Sequence, residues 1–486
     1  MLTVTEIKKF MESDAASEKK RQAAVGMRYY EADHDIRNFK ICFLNNDGKL
    51  QEDKTKSNIK ISHPFFTELV DQCTQFMGSG MDCFVKSDNP DLQQELNEYF
   101  NENENFMAEM ECLLTGVQAK GFEYMYAYKS KDDRTAFKCA DAMGVVEVRE
   151  SDTDDQCAYV IYWYIDRIGK DNKAIKRIQV WDDKQTTYFC QINDGPIVPD
   201  ESYKVNPRPH ILYKMDGDES TFTGSYGVIP FFRMDNNRKQ FSALNPIKPL
   251  IDDYDLMSCG LSNNIQDTAE ALYVIKGYND DNLDAVRLNI NAKKMIGTPD
   301  EKSDVEVRTV DVPYQARVSK LDLDEKNIYR FGMGFNSAQL GDGNITNIVI
   351  KSRYALLDMK CKKMEIRLKQ FMRKLLNVVL TEINERNGTE YQQKDVYFSF
   401  NREVMTNASD NAQIELTDAQ KQQVQVNTLL GLETKLDNET LMQNICEVLD
   451  LDYDELKDKL PKPEETDPYA SAQTALDNLP LDRIGG

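Results

Sequence analysis

Apolar residues recur at helical spacing from the start of the chain. Ile7, Phe10 and Met11, then Val25 and Tyr29, predict helix over 5–30. Phe65, Phe66, Leu69, Val70, Cys73, Phe76 and Met77 step by three and four, and Gly78-Ser79-Gly80 ends that second helix. Leu92–Gly116 also reads as mostly helical. From Phe122 to Phe232 the period shortens to two. β-rich runs at Tyr124–Tyr128, Val145–Val148, Tyr159–Ile165, Ile178–Trp181, Thr186–Ile192 and His210–Lys214 predict a mainly antiparallel β region.

Helical spacing then returns. Leu244, Ile247, Leu250, Ile251, Tyr254, Met257, Leu261 and Ile265 predict one helix to about Ala271, with Pro246 and Pro249 in its first turns, where a missing N–H is tolerated. Tyr273–Gly277 reads as a short strand, and Val305, Val307 and Thr309 as another, closed by Pro313. Gln315–Phe331 is a further helix, and the glycines of Gly332–Gly343 mark a flexible loop. The strongest periodicity comes next. Ile350, Tyr354, Leu357, Cys361, Met364, Leu368, Phe371, Leu375 and Val378 form an a/d seam. A helix over 348–386 would be about 58 Å long at ~1.5 Å per residue. A central core helix explains the seam, with a free coiled coil as the alternative. Residues 410–460 read as helical and acidic, and the proline-containing tail 461–486 as flexible. The class is α+β.

Charge narrows the function. The 486-residue chain carries 82 acidic and 60 basic residues, a net −22, so its general surface is unsuited to wrapping nucleic acid or an anionic membrane. The charge is uneven. Residues 351–386 hold ten Lys/Arg against four acids, whereas 401–486 hold seven basic and eighteen acidic residues. Solvated helix faces explain both blocks, and a polarised assembly element explains them too. The ten cysteines contain no CxxC and read as reduced, buried thiols. The longest apolar run, Ala158–Ile165, is too short to span a bilayer, and 1–20 lacks a signal-type apolar core.

Catalytic motifs are absent. Gly48-Lys49 and Gly169-Lys170 lack the rest of a P-loop. Gly332-Met333-Gly334 and Gly341-Asp342-Gly343 do not link a strand to a helix in the dinucleotide manner. Asp450, Asp452 and Asp454 start like a calcium loop, but Glu455 stands where the turn needs glycine. His34, His63 and His210 are far apart in sequence, which leaves little for a triad or a metal site. Asp252, Asp253 and Asp255 read as a solvated or lumen-facing acidic face. No catalytic residue, metal ligand or cofactor is expected.

The order of several segments resembles the bacteriophage portal proteins of the Gram-positive tailed-phage type. They are Arg28-Tyr29-Tyr30-Glu31-Ala32-Asp33-His34-Asp35-Ile36, Ser57-Asn58-Ile59-Lys60-Ile61-Ser62-His63-Pro64, Gly227-Val228-Ile229-Pro230-Phe231-Phe232-Arg233-Met234-Asp235-Asn236-Asn237, Pro249-Leu250-Ile251-Asp252-Asp253-Tyr254-Asp255, Leu272-Tyr273-Val274-Ile275-Lys276-Gly277-Tyr278, and Asn344–Lys351 running into the long basic helix. They keep the family's order over residues 20–385.

The resemblance implies a ring, typically of twelve copies, at one capsid vertex. Double-stranded DNA enters it under a separate terminase motor and leaves by the same channel. Residues 1–243 would form a mixed α/β wing, 244–272 a stem helix, 273–313 a small α/β clip and 314–331 a second stem helix. A tunnel loop would span 332–346, the long helix and its return to the wing 347–400, a helical crown 401–460 and an acidic tail 461–486. Phe335, Asn336, Ser337, Gln339, Asp342 and Asn344 would lie near DNA. Leu250, Tyr254, Met257 and Leu261 would pack the stem. Asn279, Asp280, Asp281, Lys293, Lys294, Asp300 and Glu301 would meet the terminase large subunit and then the head–tail adaptor. Further partners would be the major capsid protein and scaffold, with no membrane. The setting would be the virion, and the host cytoplasm during assembly. Two other readings of the residues stay open: another head-assembly (minor capsid) protein, and a metal-dependent nuclease using the acids at 252–255.

Overall fold

The computed structural model describes residues 1–130 other than 46 and 55, 134–150, 157–168, 173–193, 195–214, 221–267, 272–276, 304–308, 314–336, 347–402, 408–432, 435–449, 451 and 453. Everything below refers to these. The chain divides into two compact units, residues 1–343 with 351–404, and residues 344–350 with 405–486.

The first unit opens with two helices where the periodicity suggested one. α1 (Val4–Ala15) starts on a Thr3/Glu6 capping box, and α2 (Glu18–Tyr30) restarts because Ser17 turns extended and accepts from the Lys20 N–H. α3 spans Phe65–Gly78. The next helical stretch is also divided. α4 (Pro90–Leu96) is capped by Asn89 with proline at its first position, and α5 (Glu104–Lys120) is capped by Asn103. α5 ends at Gly121, whose φ of +94° and contact with the backbone of 240–241 leave no room for a side chain.

The β region is antiparallel throughout. Phe122–Lys129 lies between Phe231–Asp235 and Thr135–Ala140 in a three-stranded sheet. A larger sheet runs Val198–Pro199, Gln185–Ile192, Lys173–Trp181, Tyr159–Ile168 and Val145–Val148, with Arg208–Pro209 also paired to Gln185–Ile192. Ile7 and Met11 of α1 close the core over that sheet with Val146, Ile161, Ile178 and Phe189.

α6 (Lys248–Asp267) starts later than the apolar spacing suggested. Leu244–Ile247 form a turn, and only Pro249 lies inside the helix. Leu272–Lys276 pairs with Asp304–Arg308, in line with the two short strands expected. α7 spans Tyr314–Gly332 and α8 spans Asn347–Asn387. Leu357, Cys361, Met364, Leu368, Phe371, Leu375 and Val378 of the predicted seam are all buried. They pack with Cys73, Phe76 and Met77 of α3 and Leu113, Leu114 and Val117 of α5 in one cluster. α8 is therefore a core helix, and each such side chain contributes about 1.5–3 kcal/mol of burial. The cysteines are free, but Cys42, Cys83 and Cys112 are exposed, which corrects the expectation of buried thiols.

In the second unit α9 (Ala408–Leu430) packs against α10 (Asn438–Val448), which Asp437 caps. No described helix is long and apolar enough to cross a membrane.

Candidate functional site

The helix pair α6 and α7 is where sequence and structure differ most. The buried positions of α6 are Ile251, Asp255, Cys259 and Asn263, a stripe of four-residue steps with two polar members. An extended segment, 57–63, lies along that stripe in the opposite direction. The Ser57 N–H donates to Asp267 Oδ1 (3.1 Å) and that of Ile59 to Asn263 Oδ1 (2.7 Å). The Ile61 N–H donates to Cys259 Sγ (3.2 Å) and that of His63 to Asp255 Oδ1 (3.0 Å). The match is geometric. Two extended residues advance about 6.6 Å and four helical residues about 6.0 Å, so alternate amides meet successive side chains of one stripe. Without these acceptors the four backbone donors would need other partners.

Asp255 is the anchor. Its side chain is fully buried, with His34 Nδ1 at 2.6 Å from Oδ2 and His63 Nδ1 at 2.7 Å from Oδ1. Burial alone would raise its carboxyl. The hydrogen bonds from both imidazoles outweigh burial and hold it below the ordinary Asp value. His34 stacks on Tyr29, whose hydroxyl donates to Asp252, and Lys248 Nζ reaches both Asp252 and Asp35 at 2.7 Å. Asp253 pairs across to Lys320 of α7. The three aspartates thus serve three different elements and do not form the solvated acidic face expected. Among the described residues no group of three or more His, Cys, Asp or Glu is arranged to hold a metal ion.

Ser258, His63 and Asp255 follow one another in space as in a hydrolase triad. Ser258 Oγ lies 3.5 Å from His63 Nε2, too long for an activated nucleophile, and Asp255 already serves a second imidazole. The arrangement works as a clamp that ties the N-terminal segment to α6.

The expected packing residues are split. Leu250 and Tyr254 are half-buried against the cluster of Tyr29, Phe66, Leu69, Ile251 and Ile328, and the Tyr254 ring meets His63 and Phe65 edge-on, each at 4.8 Å. Met257 and Leu261 are half-buried outside that cluster. Phe335 is held, not free. It stacks on Tyr354 at 4.6 Å, and Gln72 bonds both its N–H and its carbonyl. Asn336 donates to Glu325 Oε1 at 2.8 Å. Gly332 and Gly334 are buried against Leu69, where a Cβ on Gly334 would overlap a methyl group. Close packing explains these two glycines, which corrects the reading of them as loop flexibility. Ser337, Gln339, Asp342 and Asn344 lie outside the described residues, as do Asn279, Asp280, Asp281, Lys293, Lys294, Asp300 and Glu301.

The segments that build this clamp, 28–36, 57–64 and 249–255, are three of those behind the family resemblance. A family profile described as "Phage portal protein, SPP1 Gp6-like" matches residues 12–457. The chain belongs to the phage portal protein family. The portal protein of Bacillus phage SPP1 is 24% identical over 391 residues, covering 80% of this chain and 75% of its own. The portal protein of Clostridium phage phiCD119 is 21% identical over 430 residues, covering 85% and 89%. Portal proteins are structural components of the virion capsid. Within this portal chain, sequence reading missed His34, His63, Asp255, Cys259 and Asn263. The available signal was the four-residue spacing Asp255, Cys259, Asn263, Asp267 beside a short extended segment.

Proposed function

We propose that this portal chain assembles as a ring of about twelve copies, as its family implies, and forms the channel through which double-stranded DNA enters and later leaves the capsid. Family membership over residues 12–457 carries this reading. In it, α6 and α7 are the stem, and 273–313, which holds all of the Leu272–Lys276/Asp304–Arg308 pair except Leu272, is the clip that meets the terminase large subunit and then the head–tail adaptor. Residues 332–346 are the tunnel loop, and within it Phe335 is fixed on Tyr354 and Gln72. The wing meets major capsid protein and scaffold, and 401–460 forms the crown. The chain acts as a conduit and not as an enzyme, and the motor is a separate ATPase.

Charge supports this. A conduit must not hold its cargo, and phosphate neutralisation by Lys and Arg dominates sequence-independent DNA affinity. A subunit of net −22 presents the opposite balance. The test is packaging in vitro. Capsids assembled with and without this chain are given terminase, ATP and DNA, then nuclease. Protected DNA only in capsids that contain the chain is the expected result. Equal protection without it would overturn the reading.

A further inference from the structure

Among the described residues two pairs of thiols are in contact, and one of them reaches the surface. Cys73 of α3 and Cys361 of α8 are fully buried, with their sulfurs 3.6 Å apart. Cys112 of α5 and Cys139 of the strand Thr135–Ala140 also hydrogen-bond thiol to thiol. There Cys112 is exposed and Cys139 is half-buried.

The fold holds this second pair in place. The Cys139 N–H donates to Glu109 Oε2 (2.7 Å), one turn before Cys112 on α5. Phe106, further back on the same helix, meets Phe137 edge-on at 5.9 Å. Thr135–Ala140 is the edge strand of the three-stranded sheet and pairs there with Phe122–Lys129 alone. The two thiols differ in character. The hydrogen bond from Cys139 outweighs burial and, with the charge of Lys120, holds the Cys112 thiol down to about 7. The same contact and burial push Cys139 up. The thiolate is the nucleophile, so Cys112 is an exposed attacking sulfur with a protonated thiol beside it. Oxidation-sensitive cysteines combine these features: a low pKa, access to solvent and a resolving cysteine. Cys73 and Cys361 have the contact without the exposure. Cys42 and Cys83 have the exposure without a partner thiol among the described residues.

We propose that Cys112 and Cys139 form a thiol–disulfide exchange site whose substrates are low-molecular-weight disulfides of the glutathione type, RSSR. The Cys112 thiolate attacks one sulfur of RSSR. The RS–SR bond breaks, a Cys112–SR bond forms and RS⁻ leaves. Cys139 gives its proton to that RS⁻, attacks the Cys112 sulfur and displaces the second RS⁻, which takes a proton from water. The two protein sulfurs lose two electrons, and RSSR is reduced to two RSH. The product is a disulfide that ties α5 to the edge strand. Disulfides are rare in a reducing cytosol and persist outside the cell. In the portal reading above, the bond is therefore absent during assembly and forms in the released virion. That timing rests on the portal reading, and the chemistry of the pair does not.

The test uses the full wild-type chain, reduced, freed of reductant and treated with oxidised glutathione at neutral pH. Remaining thiols are blocked with a maleimide, and each cysteine is read by peptide mass. Cys112 and Cys139 are expected as one linked peptide pair, lighter by two hydrogens and free of glutathione. Cys42 and Cys83 are expected to carry glutathione, and Cys73 and Cys361 to remain thiols. Cys112 should react about threefold faster than Cys42, because its larger thiolate fraction is partly offset by lower nucleophilicity. Amides of 135–140 should exchange about tenfold more slowly after oxidation. In Cys139→Ser, Cys112 should stop at the glutathione adduct, and exchange over 135–140 should not respond to the oxidant. Cys112 found in the wild type as a thiol, as a stable adduct or linked to another cysteine overturns the proposal. The wild-type map decides this even where the variant fails to fold. The ring is tested separately by particle mass, so its failure and the failure of this site are distinguishable.

Discussion

Replacing Asp255 with alanine tests the clamp on α6. The substitution removes the acceptor for the His34 imidazole, the His63 imidazole and the His63 backbone N–H, and leaves buried donors without partners. Breaking a buried charged contact in this way costs about 3–5 kcal/mol. Local opening of 57–63 should then become easier by at least about 3 kcal/mol, or roughly 100-fold faster amide exchange at ~1.4 kcal/mol per factor of ten. Hydrogen exchange read by mass spectrometry over the peptides covering 57–63 measures this directly. Asp253→Asn is the control. Asp253 is partly exposed and, among the described residues, pairs with Lys320, so its loss should cost under about 1 kcal/mol. The pH dependence has a definite sign. The folded Asp255 carboxyl lies below its ordinary value of 3.8, so its contribution is complete above that pH and disappears as pH falls through the lower folded value. The wild-type protection of 57–63 should fall in that acid window, and the Asp255→Ala protein should lack this component. An exchange rate over 57–63 that Asp255→Ala leaves unchanged, or that Asp253→Asn raises equally, would refute the clamp.

The other expectations concern packing and assembly. Gly334→Ala forces a methyl group onto Leu69 and should destabilise the chain by about 1–3 kcal/mol in urea unfolding, with much of the loss recovered in a Gly334→Ala/Leu69→Ala double variant. Arg402 is buried between Asp358 and Glu365 with its guanidinium over Phe76. Arg402→Lys should therefore lose about 1–3 kcal/mol in the same assay, because a point charge cannot bridge both carboxylates. Met257→Asp places charge on a half-buried position outside the core cluster. It should leave the monomer's thermal unfolding nearly unchanged and abolish the ring in native mass spectrometry, whereas Tyr254→Asp should disturb the fold itself.

Much of the fold was legible because long, strictly periodic segments report burial directly. The seam from Leu357 to Val378 is buried at each predicted position, and the alternating runs between 122 and 232 are antiparallel strands. Helix limits were less legible where a single cap decides them, as at Ser17, Asn89 and Asn103. The stripe on α6 was missed for a different reason. Hydrophobic spacing favours Leu250, Tyr254, Met257 and Leu261, but the strap needs acceptors for its backbone donors. Asp255 was read into a solvated or lumen-facing acidic face and Asn263 was not singled out, because their partners lie about 200 residues away in sequence. The same separation hid the meeting of His34 and His63 on one carboxylate. Gly334 read as loop freedom because spacing gives no sign of the Leu69 methyl groups beside it.

The most direct test of the ring is the mass and shape of the purified full-length chain, by native mass spectrometry with negative-stain imaging and, where needed, with scaffold added. The account predicts a closed particle of about 671 kDa for twelve copies of the 55.9-kDa chain, with a hole on its axis. A compact monomer or dimer without a hole, unchanged when scaffold and capsid protein are supplied, would contradict it.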